Sequence, residues 1–246
     1  MRAGILHRDL SLSNIMYRIV REKNSAGVVE EKVCGVLTDF DLASWTEDLK
    51  EDYSKTSQQR TGTPPFMAYG LLNGSDALHL YRHDLESLFY IMVILATHYE
   101  IRLPTEEEGG LRMRRGLEEL PYQIWFDQPS YRTLAGLKYI FLSNSGHLNL
   151  SPDFEDFRGW LRGLHRSFMK GIATNVNHQA QLTDLQECQG DGSGEEAAPG
   201  FDDETLGGHV NYSALIDPVR RLKGKLEGLI IRYDPSRSAS TTETDG

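Results

Sequence analysis

Residues 84–99 constrain the fold of this chain more than any other stretch. On a helix there, Leu85, Leu88, Phe89, Met92, Val93, Leu95 and Ala96 leave almost no polar surface, and Asp84 stands where it can cap the start. A helix apolar nearly all round belongs in the middle of a domain, covered on every side. Its unbroken apolar run, Leu88 to Ala96, is about half of the ~20 residues a membrane span needs. At 246 residues the chain is read as one domain, or at most two, that needs neither disulfides nor metal to fold.

Charge narrows the partners. Asp and Glu number 36 against 26 Lys and Arg, a net charge of −10. That balance argues against nucleic acid or an anionic membrane as the main partner. Two cysteines, Cys34 and Cys188, make no disulfide framework, and no apolar signal region opens the sequence. The expectation is a soluble intracellular protein, cytoplasmic or nuclear.

The rest of the chain divides by pattern. Residues 15–20 and 33–38 are β-branched and apolar, and Asn24, Ser25 and Gly27 between them suggest a hairpin with a long tip. Residues 44–65 are polar, end in Gly62-Thr63-Pro64-Pro65 and read as a loop. Phe154, Phe157, Leu161, Leu164 and Phe168 predict a helix at about 153–170. Ile216, Val219, Leu222, Leu226, Leu229 and Ile230 predict another at about 213–232. Residues 183–208 collect Asp, Glu, Gly and Ser and read as a mobile acidic loop. Residues 234–246 read as a disordered tail.

Chemistry concentrates near the start. His7-Arg8-Asp9-Leu10, with Asn14 five positions after Asp9, resembles the catalytic loop of protein kinases, H-R-D-L-x-x-x-N. Thr38-Asp39-Phe40-Asp41 is similar to their metal-binding D-F-G. Thr61-Gly62-Thr63-Pro64-Pro65-Phe66-Met67-Ala68 looks like the end of a kinase activation segment. The closer resemblance is to the fungal-type protein kinases: Ser11 two residues after Asp9, Asp39-Phe40-Asp41, Phe66-Met67-Ala68, and His83-Asp84-Leu85-Glu86-Ser87-Leu88-Phe89-Tyr90. Gly207-Gly208-His209-Val210 ahead of the last helix fits it as well.

The resemblance implies a mainly helical α+β fold, a kinase large lobe over residues 1–233 with a short β-hairpin carrying the active-site residues. It implies transfer of the ATP γ-phosphate to Ser or Thr hydroxyls of a protein substrate. Asp9 would be the base, Asn14 and Asp39 the Mg²⁺ ligands, and Met16 a further nucleotide contact. Thr63 would hydrogen-bond Asp9, and His7, Arg8, Phe40 and Asp84 would give structural support. The residue types suit that chemistry, because a carboxylate can orient a hydroxyl or take its proton and oxygen donors suit hard Mg²⁺.

The pattern also breaks. Only six residues precede His7, so the small lobe that clamps ATP is expected to be missing or supplied elsewhere, and residues 18–32 look like an extension of the hairpin tip. Ser11 replaces the usual Lys, and Asp41 the usual Gly. Ala68-Tyr69-Gly70 stands for A-P-E, which loses a buried Glu and is expected to loosen the activation segment. Two other readings follow: a non-catalytic, pseudokinase-like binding module, or a small-molecule phosphotransferase of the choline or aminoglycoside kinase type. Ser54, Thr56, Ser57 and Thr61 read as a solvated polar loop, or as phosphorylation sites with Arg8 as the phosphate's partner. Trp45, Trp125 and Trp160 read as packing residues, and the cations Arg112, Arg114, Arg115, Arg220, Arg221, Lys223 and Lys225 as solvated helix faces.

Overall fold

The computed structural model describes residues 4–23, 25, 27–46, 62–74, 78–102, 110–114, 120–127, 129–144, 148–188 and 200–226. Strand β1 (Ile5–Leu6) leads into the loop that ends at Asn14, and β2 (Ile15–Lys23) and β3 (Val29–Leu37) follow. Next come β4 (Ser44–Trp45), α1 (Tyr69–Asn73), α2 (Tyr81–His98), β5 (Tyr99–Arg102) and β6 (Gly110–Met113). The chain continues through α3 (Tyr131–Ser143), α4 (Arg158–Cys188) and α5 (Tyr212–Leu226). Helix outweighs strand among the described residues, where three two-stranded antiparallel sheets pair β1 with β4, β2 with β3 and β5 with β6. This is the mixed helix-and-sheet class the sequence implies.

Helix α2 is the central element, as its composition demands. Phe89, Tyr90 and Val93 are fully buried, with Ile91 and Ile94 almost so. Covering them, α3 presents Leu134 and Leu142, and α4 presents Leu161, Leu164, Phe168 and Ile172 at helical spacing. Each such side chain contributes roughly 1.5–3 kcal/mol by leaving water. No described helix is long and apolar enough to cross a membrane.

Several boundaries differ from the sequence reading. Asp84 is not the cap of α2: the helix begins three residues earlier, after Leu80, whose N–H donates to His83 Nδ1 at 2.8 Å. The hairpin extension is itself strand, paired from Ile15 opposite Leu37 to Lys23 opposite Val29, so the tip is short. Residues 152–157 form a 3-10 turn, and α4 starts at Arg158 and runs well beyond the expected end at 170. The expected acidic loop 183–208 is therefore helix to Cys188, and its last residues are ordered turns. Trp125 and Trp160 pack as expected, whereas Trp45 is 56% exposed on a two-residue strand. The tail 234–246 and Ser54, Thr56, Ser57 and Thr61 lie outside the described residues. So do Arg115 and the side chains of Arg112, Arg220, Arg221, Lys223 and Lys225.

The turn at 200–210 packs along the second half of α4. Phe201 stacks on His178 with ring centroids 4.9 Å apart, and Leu206 lies against the backbone of Gly171. A Cβ at Gly171 would sit 2.8 Å from Leu206 Cβ, whereas a Cβ at Gly163, two turns earlier, meets nothing within 4 Å. Alanine gains about 1 kcal/mol over glycine inside a helix, but overpacking costs roughly 1–3 kcal/mol. Gly163→Ala is therefore expected to raise the urea midpoint and Gly171→Ala to lower it. Shifts of one sign in both proteins would contradict this packing.

Candidate active site

The loop from His7 to Asn14 is held from below by α2. Asp84 accepts the backbone N–H of His7 at 2.7 Å and of Arg8 at 3.1 Å, and His79 Nε2–H donates to it at 2.9 Å. Burial pushes the Asp84 carboxyl upward, but the hydrogen bond and charge of His79 and the two amides outweigh it, and its pKa ends below the usual value. Arg8 takes a left-handed backbone, φ 68°, a costly choice for a non-glycine residue that the two amide bonds to Asp84 help to hold. Its guanidinium Nη1 donates to Ser44 Oγ at 2.8 Å.

Asp9 projects from this tethered loop. Its Oδ1 accepts both the backbone N–H of Thr63 at 2.7 Å and the Thr63 hydroxyl at 2.8 Å. The residue expected to reach Asp9 across more than fifty positions is thus its direct partner. Two donors on one oxygen set the plane of the carboxylate and leave Oδ2 as the less engaged atom.

Asn14 closes the loop on itself. Its Nδ2 donates to Asp9 O at 3.0 Å, and the residue is only 8% exposed. Its backbone carbonyl accepts from Thr38 N at 3.0 Å and Thr38 Oγ1 at 3.3 Å, which ties the end of β3 to the start of β2. Asp39 follows Thr38 directly, with φ 61° and an exposed side chain. Asp9, Asn14 and Asp39 thus sit on one hydrogen-bonded backbone unit at the hairpin base. Below it, the His7 ring packs on Phe40 at 4.8 Å between centroids, and His7 Nε2–H donates to Thr38 O at 2.9 Å. Met16, on β2 just past Asn14, is exposed at the same end.

The donor set bears on a metal. Among the described residues no group of three or more His, Cys, Asp or Glu is placed to hold a metal ion. Asn14 and Asp39 are a different kind of set, two hard oxygen donors. Mg²⁺ is commonly held by one or two protein oxygens, with phosphate and water completing its octahedron. The residues present fit that mode. Ser11, the departure nearest Asp9, is turned inward, 1% exposed with Oγ 2.9 Å from Ser13 Oγ. Asp41 is exposed.

The segment after Thr63 is held where loosening was expected. Glu86, buried on α2, accepts the backbone N–H of Tyr69 at 2.7 Å and the Tyr90 hydroxyl at 2.6 Å. Lys138, fully buried on α3, donates Nζ to Pro65 O at 2.6 Å. The same ammonium lies 3.2 Å from the Tyr90 ring centroid and 3.6 Å from that of Trp125. Burial pushes Lys138 down and Glu86 up from their ordinary values, and the opposite charge of each works against that shift in the other. Sequence reasoning missed Glu86, Lys138 and His79. The available signal was a lysine on the buried face of α3, in line with Leu134, Ala135 and Leu142.

A family profile described as fungal protein kinase matches residues 1–96, the family the sequence motifs resemble. The match spans every site residue named from Asp9 to Tyr90 and ends within α2; Lys138 lies beyond it. Searches among curated proteins and among solved structures give no match.

Proposed function

We propose that residues 1–233 form the large lobe of a fungal-type protein kinase, with 234–246 as a tail, and that the site transfers the ATP γ-phosphate to Ser or Thr hydroxyls of a protein. The observation that carries this reading is the pair of hydrogen bonds from Thr63 to Asp9 Oδ1, on a loop whose amides Asp84 holds. Phosphoryl transfer asks little covalent chemistry of a protein and depends on holding groups in place. In this reading Asp9 orients the acceptor hydroxyl and takes its proton through the carboxylate oxygen that Thr63 leaves less engaged. Asn14 and Asp39 would hold Mg²⁺, with Met16 as a contact of the nucleotide. The bound metal would neutralise phosphate charge. His7, Phe40 and Thr38 keep Asp39 close to Asn14, and the Asn14–Asp9 hydrogen bond keeps the loop closed between base and ligand.

The test measures phosphate incorporation from Mg-ATP into a mixture of Ser and Thr peptides. It uses the 246-residue chain alone and the same chain fused behind the small lobe of a fungal-type kinase. Asp9→Asn is expected to lower the rate by about 10²–10⁴-fold, the range for a positioned general base. Equal rates for the unsubstituted and Asp9→Asn proteins would remove Asp9 from this role. No Mg-ATP binding in either form would favour the non-catalytic module instead.

A further inference from the structure

We infer that Lys138 is a positioning residue that sets Asp9 from outside the site, by fixing the segment from Thr63 to Tyr69 against α2 and α3; this rests on the kinase reading above. Lys138 touches no group placed in the reaction. Its Nζ holds the carbonyl of Pro65, two residues beyond Thr63, and the 3-10 turn between them is tight, with Phe66 N–H donating to Thr63 O at 2.9 Å. Thr63 in turn places both of its donors on Asp9 Oδ1. At the far end of the segment, Glu86 holds Tyr69 N–H. A displacement of Pro65 is therefore passed through one rigid turn to the Asp9 carboxylate.

The residue type points to this role rather than to simple core packing. Lysine is almost never fully buried, and a buried cation is a weak source of stability, because desolvation offsets most of what its partners return. An apolar side chain of similar length would fill the same space between Tyr90 and Trp125, but it would leave Glu86 buried without that opposite charge, so the urea midpoint falls. What the apolar side chain cannot do is donate to Pro65 O. Loss of Lys138 should therefore act on geometry near Asp9 as well as on folding.

The experiment compares the full chain with Lys138→Met. Urea unfolding reads stability, and amide hydrogen exchange by NMR reads Thr63, whose N–H is bound to Asp9. The expected result is a folded protein with a lowered urea midpoint, in which Thr63 exchange is accelerated at least tenfold more than exchange across α2. Should Lys138→Met fail to fold, Lys138→Gln, whose amide ends one atom short of the ammonium, is read the same way. Native Thr63 exchange in a folded variant overturns the proposal, and so does unfolding of both variants, which would make Lys138 a core residue only. In the fused enzyme, Lys138→Met is expected to lower kcat at least tenfold with KM for ATP unchanged. If the kinase reading itself fails, the unsubstituted protein shows no transfer while the exchange result still stands, so the two failures are distinguishable.

Discussion

Asp84→Ala is expected to cost about 3–5 kcal/mol of folding stability, the range for removing one partner from a buried charged network. The side chain is 13% exposed and accepts from three donors: His7 N–H, Arg8 N–H and the His79 ring. Alanine leaves two backbone amides without an acceptor, at roughly 1–3 kcal/mol each. The magnitude separates two roles, because loss of a helix cap costs only ~1 kcal/mol. Urea unfolding at pH 7 makes the measurement, and a loss near 1 kcal/mol would return Asp84 to being an ordinary first-turn residue. The pH dependence adds a sign. The folded pKa of Asp84 lies below its ordinary value, so its charge contributes stability that is fully present above the unfolded pKa, about 3.9 for aspartate. That contribution is lost as pH falls through the folded pKa. The stability gap between the unsubstituted protein and Asp84→Asn should therefore narrow as pH drops from 5 toward 2.

Asp84 also shows where the sequence was legible. Its presence at the start of a buried helix was plain from residues 84–99, and the local motifs placed Asp9 and Asn14 just before one hairpin and Asp39 just after it. These are short-range facts, fixed by spacing along the chain. What Asp84 binds is a loop some seventy-six positions away, and nothing in helical periodicity carries that information. The resemblance marked Asp84 as structural support, and the structure shows the two loop amides it accepts, with His79 as a third donor. Lys138 was hidden for a related reason. The sequence reading places no helix over residues 131–143, and even a buried face there does not say what packs on it, so a lysine among Leu134, Ala135 and Leu142 carries no meaning until Pro65 O and Glu86 are in place. Gly70 makes the converse point. Losing the glutamate of A-P-E suggested a loose segment, yet a different carboxylate, Glu86, receives the Tyr69 amide from the neighbouring helix.

Phe89→Ala is the second large effect, expected to lower folding stability by about 3–5 kcal/mol, as phenylalanine truncations in closed cores do. The ring is fully buried and meets aromatic partners on several sides. It stacks on Phe168 of α4 at 5.2 Å and 17°, lies 5.9 Å from Phe141 of α3 and 6.3 Å from His165, and has Tyr90 at 6.0 Å. Phe89 is therefore the point at which α2, α3 and α4 meet. Collapse around a smaller side chain would have to move two helices, and His165 is fixed by its own hydrogen bond to Phe141 O at 2.7 Å. The void should persist, which places the cost at the upper end of that range. Phe89→Leu keeps most of the volume and is expected to cost less than half as much. The Asp84 tether lies more than a turn away, at the start of the same helix, so Thr63 exchange in the still-folded Phe89→Leu protein should match that of the unsubstituted chain. Urea midpoints at constant m value read the first effect. A loss under about 1.5 kcal/mol for Phe89→Ala, well below the usual range for such truncations, would mean that the three helices are held together somewhere other than at this ring.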